Sequence, residues 1–160
     1  MFKDKELKTN VMRMLDAAKI PHIVRTYETD GSHTGTEIAA MLGLDKESVF
    51  KTLVTRGKSG EYYVFMIPVA EELDLKKAAA AVGEKAVSMI KSKELLPLTG
   101  YIHGGCSPLG MKKQFVTSID ETAELFDRIS YSGGHIGCQV ETSLEDLESL
   151  IPLIHADLTV

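Results

Sequence analysis

The residues of this chain whose types suit chemistry lie in two places. One is Lys51, set in the otherwise apolar run Val49-Phe50-Lys51-Thr52-Leu53-Val54. The other is the stretch from Tyr101 to Lys113, where Gly104, Gly105, Ser107, Pro108 and Gly110 crowd together before the pair Lys112-Lys113. Glycine lets the backbone pass through φ > 0 or come close to a ligand, and Pro108 fixes one φ and removes one donor. Successive amides in such a loop can converge on an oxygen or an anion, as in nests and oxyanion holes. A tight structural turn uses the same composition, so the loop reads as either a turn or a binding loop. Lys51 carries a similar ambiguity. A two-residue period places Val49, Lys51 and Leu53 on one face of a strand and Phe50, Thr52 and Val54 on the other. An ammonium buried there without a partner is costly; the lysine either serves a site or snorkels past the strand edge into water.

Other reactive residues offer less. Cys106 lies in the loop, but no histidine is assignable as its base, and an activated thiolate needs an electropositive neighbour. His22, His33, His103, His135 and His155 lack the paired spacing of a metal site, so neither a metal nor a cofactor is expected. Ser107 precedes a proline, where its hydroxyl commonly serves turn geometry. Lys76-Lys77, Lys85, Lys91, Lys93 and Lys112-Lys113 read as a basic rim or as solvated helix faces.

The elements that must position these residues follow from periodicity. Leu7, Val11, Met14, Leu15 and Ala18 mark an apolar stripe that predicts a helix from about Lys3 to Lys19, stopped by Pro21. A strand is expected from His22 to Tyr27. Thr34 and Glu37 have capping-box spacing ahead of a short helix that Gly43 ends. Val49–Val54 and Tyr62–Ile67 read as a hairpin around Gly57-Lys58-Ser59-Gly60. Leu73–Val82 is a helix ended by Gly83, and Ala86–Ile90 a short strand. Ser92 is expected to cap a brief helix ended by Pro97 and Gly100. Phe115–Ile119, Arg128–Tyr131 and Ile136–Val140 are strands, the last two divided by Ser132-Gly133-Gly134-His135. Asp120 caps a helical turn, and Ser143 opens a last helix that Pro152 closes. Short strands and helices without regular βαβ spacing predict an α+β fold, a single compact domain over residues 1–160 with a mixed or barrel-like sheet flanked by short helices.

Composition narrows the function classes. Hydrophobic residues make up 44% and charged residues 26%, within the ordinary globular range. No apolar run approaches the ~18 residues of a membrane span, and the charged start Met1-Phe2-Lys3-Asp4-Lys5-Glu6 is not a signal peptide. Two unclustered cysteines fit free thiols in a reducing cytoplasm. A net charge of −5 argues against indiscriminate nucleic-acid binding but leaves room for a local basic face.

Lys51-Thr52 within its strand, Thr99-Gly100-Tyr101, the loop Gly104 to Gly110 and Ser132-Gly133-Gly134 occur here in one order. Together they resemble the YbaK/EbsC family of prolyl-tRNA editing proteins, over about Val11 to Leu150. The resemblance implies a mixed sheet flanked by helices, with a pocket for the aminoacyl ester and terminal adenosine of mischarged tRNA, typically Cys-tRNA(Pro). It carries the family's central lysine to Lys51, with Thr52 beside it. The glycine loop falls on Gly104, Gly105, Ser107, Pro108 and Gly110, the second glycine turn on Ser132, Gly133 and Gly134, and a pocket tyrosine on Tyr27. Two positions depart: Thr34 stands where the pattern has an aromatic residue, and Gln139 where some members have an aspartate. A similar domain is inserted in some prolyl-tRNA synthetases, which makes such a synthetase a partner to test.

Deacylation needs an attacking group, stabilisation of an oxyanion and a grip on a polyanion. Gly104 and Gly105 offer amides for the oxyanion, and Lys51 a point charge for the phosphate or ribose side of the terminal adenosine. The resemblance supplies the attacking group from the substrate: a cysteinyl thiol can attack its own carbonyl, releasing a thiolactone. A trans-editing deacylase is therefore expected, with possible activity on Cys-tRNA(Cys) as well. The competing classes are a non-catalytic binder of aminoacyl-tRNA ends or of synthetase, and a small-molecule esterase.

Overall fold

The structure, a computed structural model, describes residues 8–160. Thr9 opens α1 (Asn10–Ala17), its hydroxyl accepting the Met12 amide at 3.2 Å. Val11, Met12 and Leu15 of this helix are buried, and Met14 packs on the same core. Leu7 and the earlier part of the predicted helix lie outside the described residues. β1 (Ile23–Thr26) follows. Thr34 and Glu37 form the reciprocal capping box of α2 (Gly35–Met41), as their spacing predicts. The hairpin of β2 (Phe50–Gly57) and β3 (Tyr62–Pro68) sets Lys51 opposite Ile67 and Arg56 opposite Tyr62.

Asp74 accepts the Lys76 and Lys77 amides to start α3 (Leu75–Val82), which ends at Gly83 with φ +74°. β4 (Val87–Met89) leads to α4 (Ser92–Thr99), which corrects two expectations. Ser92 is already helical, and the preceding Lys91 amide is capped by the Glu94 carboxylate at 2.7 Å. Pro97 lies inside the helix rather than ending it. It forgoes one bond to the Lys93 carbonyl, while the Thr99 hydroxyl donates to the Leu95 carbonyl at 2.7 Å and holds the same turn.

β5 (Val116–Asp120) runs into a 3₁₀ turn, Glu121–Leu125, begun by the Asp120 carboxylate. β6 (Ile129–Ser132), β7 (Cys138–Thr142) and α5 (Leu144–Leu150) come next, with Ser143 as the cap of α5. After Pro152 an unanticipated strand, β8 (Leu153–Ala156), pairs in parallel with β5.

The architecture is α+β, with two sheets. One is antiparallel, in the order β1-β7-β6; the other is mixed, in the order β4-β2-β3-β5-β8. A parallel bridge from Val49 to Ser130 ties the start of β2 to β6. The barrel-like alternative is not realised. Strands of three or four residues (β1, β4 and β8) end the sheets, and short edges are a common way to leave a sheet open.

The main core joins α1 and α5 to the smaller sheet through Leu15, Phe50, Ile129, Tyr131 and Leu147. Two further clusters include alternate residues of β3. Val64 packs with Val54, Leu95, Cys106, Met111 and Phe115, whereas Phe65 and Ile67 pack with Ala78, Ala79 and Leu158. The larger sheet is thereby covered by α4 with the glycine loop on one face and by α3 on the other.

Candidate functional site

Among the described residues β4 pairs with Thr55–Gly57 of β2, and the bridge to β6 falls at Val49, just before β2 begins. The stretch Phe50–Leu53 between those contacts therefore has an open edge on the side away from β3. A cavity of about 210 Å³ fills that gap, lined by Phe50, Lys51, Thr52 and Leu53 themselves. The start of α2 adds His33, Thr34, Gly35 and Ile38, and the glycine loop adds His103, Gly104 and Cys106. Leu95 of α4, Val69 after β3, Ser132 at the end of β6 and Gln139 of β7 complete the wall. Gly35 is needed for close approach, because a Cβ there would stand 2.7 Å from Val69.

The polar groups of this wall are largely unspent. Lys51 is half-buried and forms no hydrogen bond or ion pair among the described residues. Burial pushes its pKa down, more strongly than the Glu72 and Glu71 carboxylates pull it up. Thr52 Oγ1 and Gln139 Oε1 are buried without a hydrogen-bond partner among the described residues. The Gly104 amide, at φ +89°, is likewise uncommitted. Cys106 is 8% exposed, and burial pushes its thiol up to about 12, so at neutral pH it is a small apolar wall.

Six residues singled out in the sequence thus meet at the cavity: Thr34, Lys51, Thr52, Gly104, Ser132 and Gln139. The other seven stand behind it. Tyr27 is buried, with its hydroxyl against the Gln139 side chain; burial raises its pKa. The Gly105 amide is already given to the Ile102 carbonyl at 3.0 Å, so it is not a spare donor here. Gly105 instead packs on the second glycine turn, where a Cβ would lie 3.1 Å from the Ile136 nitrogen. Ser107 is fully buried and accepts the Leu109 amide at 3.3 Å, the turn role open to a serine before proline. Pro108 is buried beside it. Gly110, at φ +74°, leaves room for the Tyr101 hydroxyl, which donates to the Leu109 carbonyl at 2.6 Å. Gly133 has no space for a side chain against Cys138 Sγ, and the Gly134 amide donates to Ser132 Oγ at 3.1 Å.

Sequence reasoning did not place His33, Gly35, Ile38, Phe50, Leu53, Val69, Leu95 or His103 at the cavity. His103 adjoins the glycine loop and Gly35 follows Thr34, which are the local signals that pointed there; the rest required the pairing of the strands. The expected basic rim divides. Lys77 is held by Asp157 at 2.9 Å and the Thr159 carbonyl at 2.7 Å, while Lys112 reaches the Pro97 carbonyl and Lys113 lies over the Phe115 ring. Among the described residues no three His, Cys, Asp or Glu side chains are grouped to hold a metal ion. No described helix is long and apolar enough to cross a membrane.

Comparison with known proteins agrees with this architecture. Residues 29–150 match the family model described as an aminoacyl-tRNA editing domain. A protein of Enterococcus faecalis named "Putative Cys-tRNA(Pro)/Cys-tRNA(Cys) deacylase EbsC" is 43% identical over 98% of this chain and 96% of its own length. A proline–tRNA ligase of Trichlorobacter lovleyi is 28% identical over 60% of this chain, a match that spans 17% of the ligase. Among solved structures, a "putative trans-editing enzyme for prolyl tRNA synthetase" superposes with a TM-score of 0.80 at 24% identity, covering 97% of this chain and 99% of the other. The chain belongs to the aminoacyl-tRNA editing domain family.

Proposed function

We propose that the protein is a trans-acting aminoacyl-tRNA deacylase, a single editing unit over residues 1–160. It acts in the cytoplasm on Cys-tRNA(Pro), with Cys-tRNA(Cys) open to the same chemistry. The name of the Enterococcus faecalis relative supports the substrate class. The observation that carries the reading is the set of unspent polar groups at one cavity: the Lys51 ammonium, Thr52 Oγ1, Gln139 Oε1 and the Gly104 amide. Buried polar groups without partners cost stability. A ribose and an aminoacyl ester bring both donors and acceptors to such a wall.

The same cavity holds no activated nucleophile, since Cys106 stays a thiol. The substrate's own sulfur fills that role. It adds to the ester carbonyl carbon, and charge grows on the carbonyl oxygen; the uncommitted Gly104 amide and the Lys51 ammonium, both in the cavity wall, are the groups suited to stabilise it. The carbon–oxygen ester bond then breaks. The electron pair leaves on the ribose oxygen, which takes up the proton the thiol gave up, and the amino acid departs as a four-membered thiolactone. Confinement of the ester against β2 supplies the proximity on which an intramolecular step depends. The match to part of a proline–tRNA ligase supports prolyl-tRNA synthetase as the partner beside which this chain works.

The test is a panel of tRNA(Pro) charged with cysteine, serine and alanine. Cysteinyl-tRNA is cleared fastest if the substrate thiol attacks, because a serine hydroxyl holds its proton far more tightly. Equal clearance of seryl and cysteinyl esters removes the thiol from the mechanism, and failure to clear any ester leaves the cavity to a binding module.

A further inference from the structure

At the turn end of the β2–β3 hairpin, two rings lie side by side with a cation at each end, in a row from β2 across β3 to the residues just before β5. The Arg56 guanidinium lies 5.6 Å from the centroid of the Tyr62 ring. Tyr62 in turn is 5.7 Å from Phe115, centroid to centroid. Lys113 Nζ is 5.8 Å from the Phe115 centroid. Both cations are exposed, and neither forms an ion pair among the described residues. Glu84, just after α3, is bound by Tyr63 and Ser59 of the hairpin, Tyr63 being on the opposite face of β3 from Tyr62. Glu61, next to Tyr62 in the chain, is the acidic residue of the turn nearest the row.

A ring face under a cation holds it by its quadrupole, so the two charges are fixed in place yet remain free to bind. The row is also continuous with the cavity. Tyr62 and Phe115 pack in one apolar cluster with Leu95 and Cys106, and those two residues line the cavity wall. Along β2, Arg56 shares the face of Val54, the face on which Leu95 and Cys106 pack.

We propose that Arg56 and Lys113, held on Tyr62 and Phe115, form a phosphate-binding face for the acceptor end of tRNA. This rests on the reading of the cavity as an aminoacyl-tRNA site. The face gives a protein of net charge −5 a localised grip on a polyanion.

The experiment compares the parent with Arg56→Ala, Lys113→Ala and the double variant, each first checked for an unchanged Tm. Two substrates are used: Cys-tRNA(Pro) across a salt series, and the cysteinyl ester of adenosine, which has no phosphate for this face. On tRNA the double variant loses about tenfold in kcat/KM at low salt, and the slope of log kcat/KM against log salt flattens by about one per cation removed. On the adenosine ester the variants match the parent. Parental rates and slopes for the variants on tRNA overturn the proposal. A loss that appears only when prolyl-tRNA synthetase is present also overturns it, because the face then meets protein. A parent that cleaves neither substrate defeats the deacylase reading itself, an outcome distinct from both.

Discussion

β7 carries two polar side chains two residues apart, Gln139 and Glu141, and the molecule uses them in opposite ways. Glu141 is closed on both sides. Arg25 Nη1 donates to one carboxylate oxygen at 2.9 Å, Arg128 Nε to the other at 2.8 Å, and Arg128 Nη2 to the Glu141 carbonyl at 3.1 Å. Those bonds join β1, β7 and the approach to β6, the strands that set the register of the smaller sheet. Gln139 faces the cavity with its Oε1 unbonded, as does Thr52 Oγ1 across from it. Satisfied polar groups fix strands in place, whereas buried ones without a protein partner have hydrogen-bonding capacity to offer a bound molecule. Lys51 belongs with the second kind. A lysine whose folded pKa lies below its unfolded value binds its proton less tightly when folded, so at neutral pH its charge opposes folding.

That contrast breaks most readily at Lys51. Lys51→Ala is expected to lower kcat/KM for Cys-tRNA(Pro) by ~100-fold or more, the scale of losing one preorganised oxyanion partner. Its Tm stays at or above the parent's, since the removed charge was unpaired. Deacylation at the parental rate returns Lys51 to an ordinary surface lysine.

The two β7 positions sharpen the contrast further. Gln139→Leu removes an unbonded oxygen but also the amide against the Tyr27 hydroxyl, so Tm falls slightly while kcat/KM falls by ~10-fold, about 1.4 kcal/mol. Glu141→Leu leaves two arginines without their carboxylate. It is expected to cost ~1–3 kcal/mol, reduced from the fully buried case because both arginines are part-exposed. Tm falls by ~2–4 °C per kcal/mol, and the folded fraction keeps its activity. Burial pushes the Glu141 carboxyl up, but the hydrogen bonds from Arg128 and Arg25 outweigh it and hold its pKa below the ordinary value. Its stabilising contribution is therefore complete above the unfolded pKa of ~4.3 and is lost as pH falls through the depressed folded value. Acid titration of Tm checks this: the gap between parent and Glu141→Leu closes at low pH, while Gln139→Leu tracks the parent throughout.

The sequence exposed the local half of this picture. The capping box at Thr34, the hairpin around Gly57 to Gly60 and the stop at Gly83 depend on neighbours within a few residues, and each formed where its residues predict. β8 was not visible, because Leu153–Ala156 gains its partner from β5, over thirty residues earlier, and shows no strong alternation of its own. The site divided in the same way. Lys51 stood out as a charge in an apolar strand, but the gap it lines exists only because β4 and β6 each stop short along β2. The glycines were noticed for chemistry, yet Gly105, Gly110 and Gly133 are there for close packing. Composition alone cannot separate a glycine that meets a ligand from one that meets its own chain.

The smallest effect is expected at Cys106, and its absence is informative. The residue lines the cavity and carries the one thiol there, so an enzyme nucleophile, if the chain has one, would be placed here. Burial holds its pKa at about 12, and no cation or histidine counters that shift. At pH 7–8 almost none of it is thiolate, the form that attacks an ester. The substrate's thiol, with an ordinary pKa of ~8.5, is a far larger source of thiolate over the same range. Cys106→Ala therefore keeps kcat for Cys-tRNA(Pro) within about twofold, and Tm falls slightly for the lost packing against Leu95 and Met111. The pH–rate profile distinguishes the two sulfurs. With attack by the substrate, kcat rises with pH and levels near the substrate thiol's own pKa, identically in parent and variant. A profile that still climbs toward pH 12 in the parent and goes flat in Cys106→Ala would transfer the nucleophile to the enzyme, and the cavity's unspent groups would then serve hydrolysis of any small aminoacyl ester.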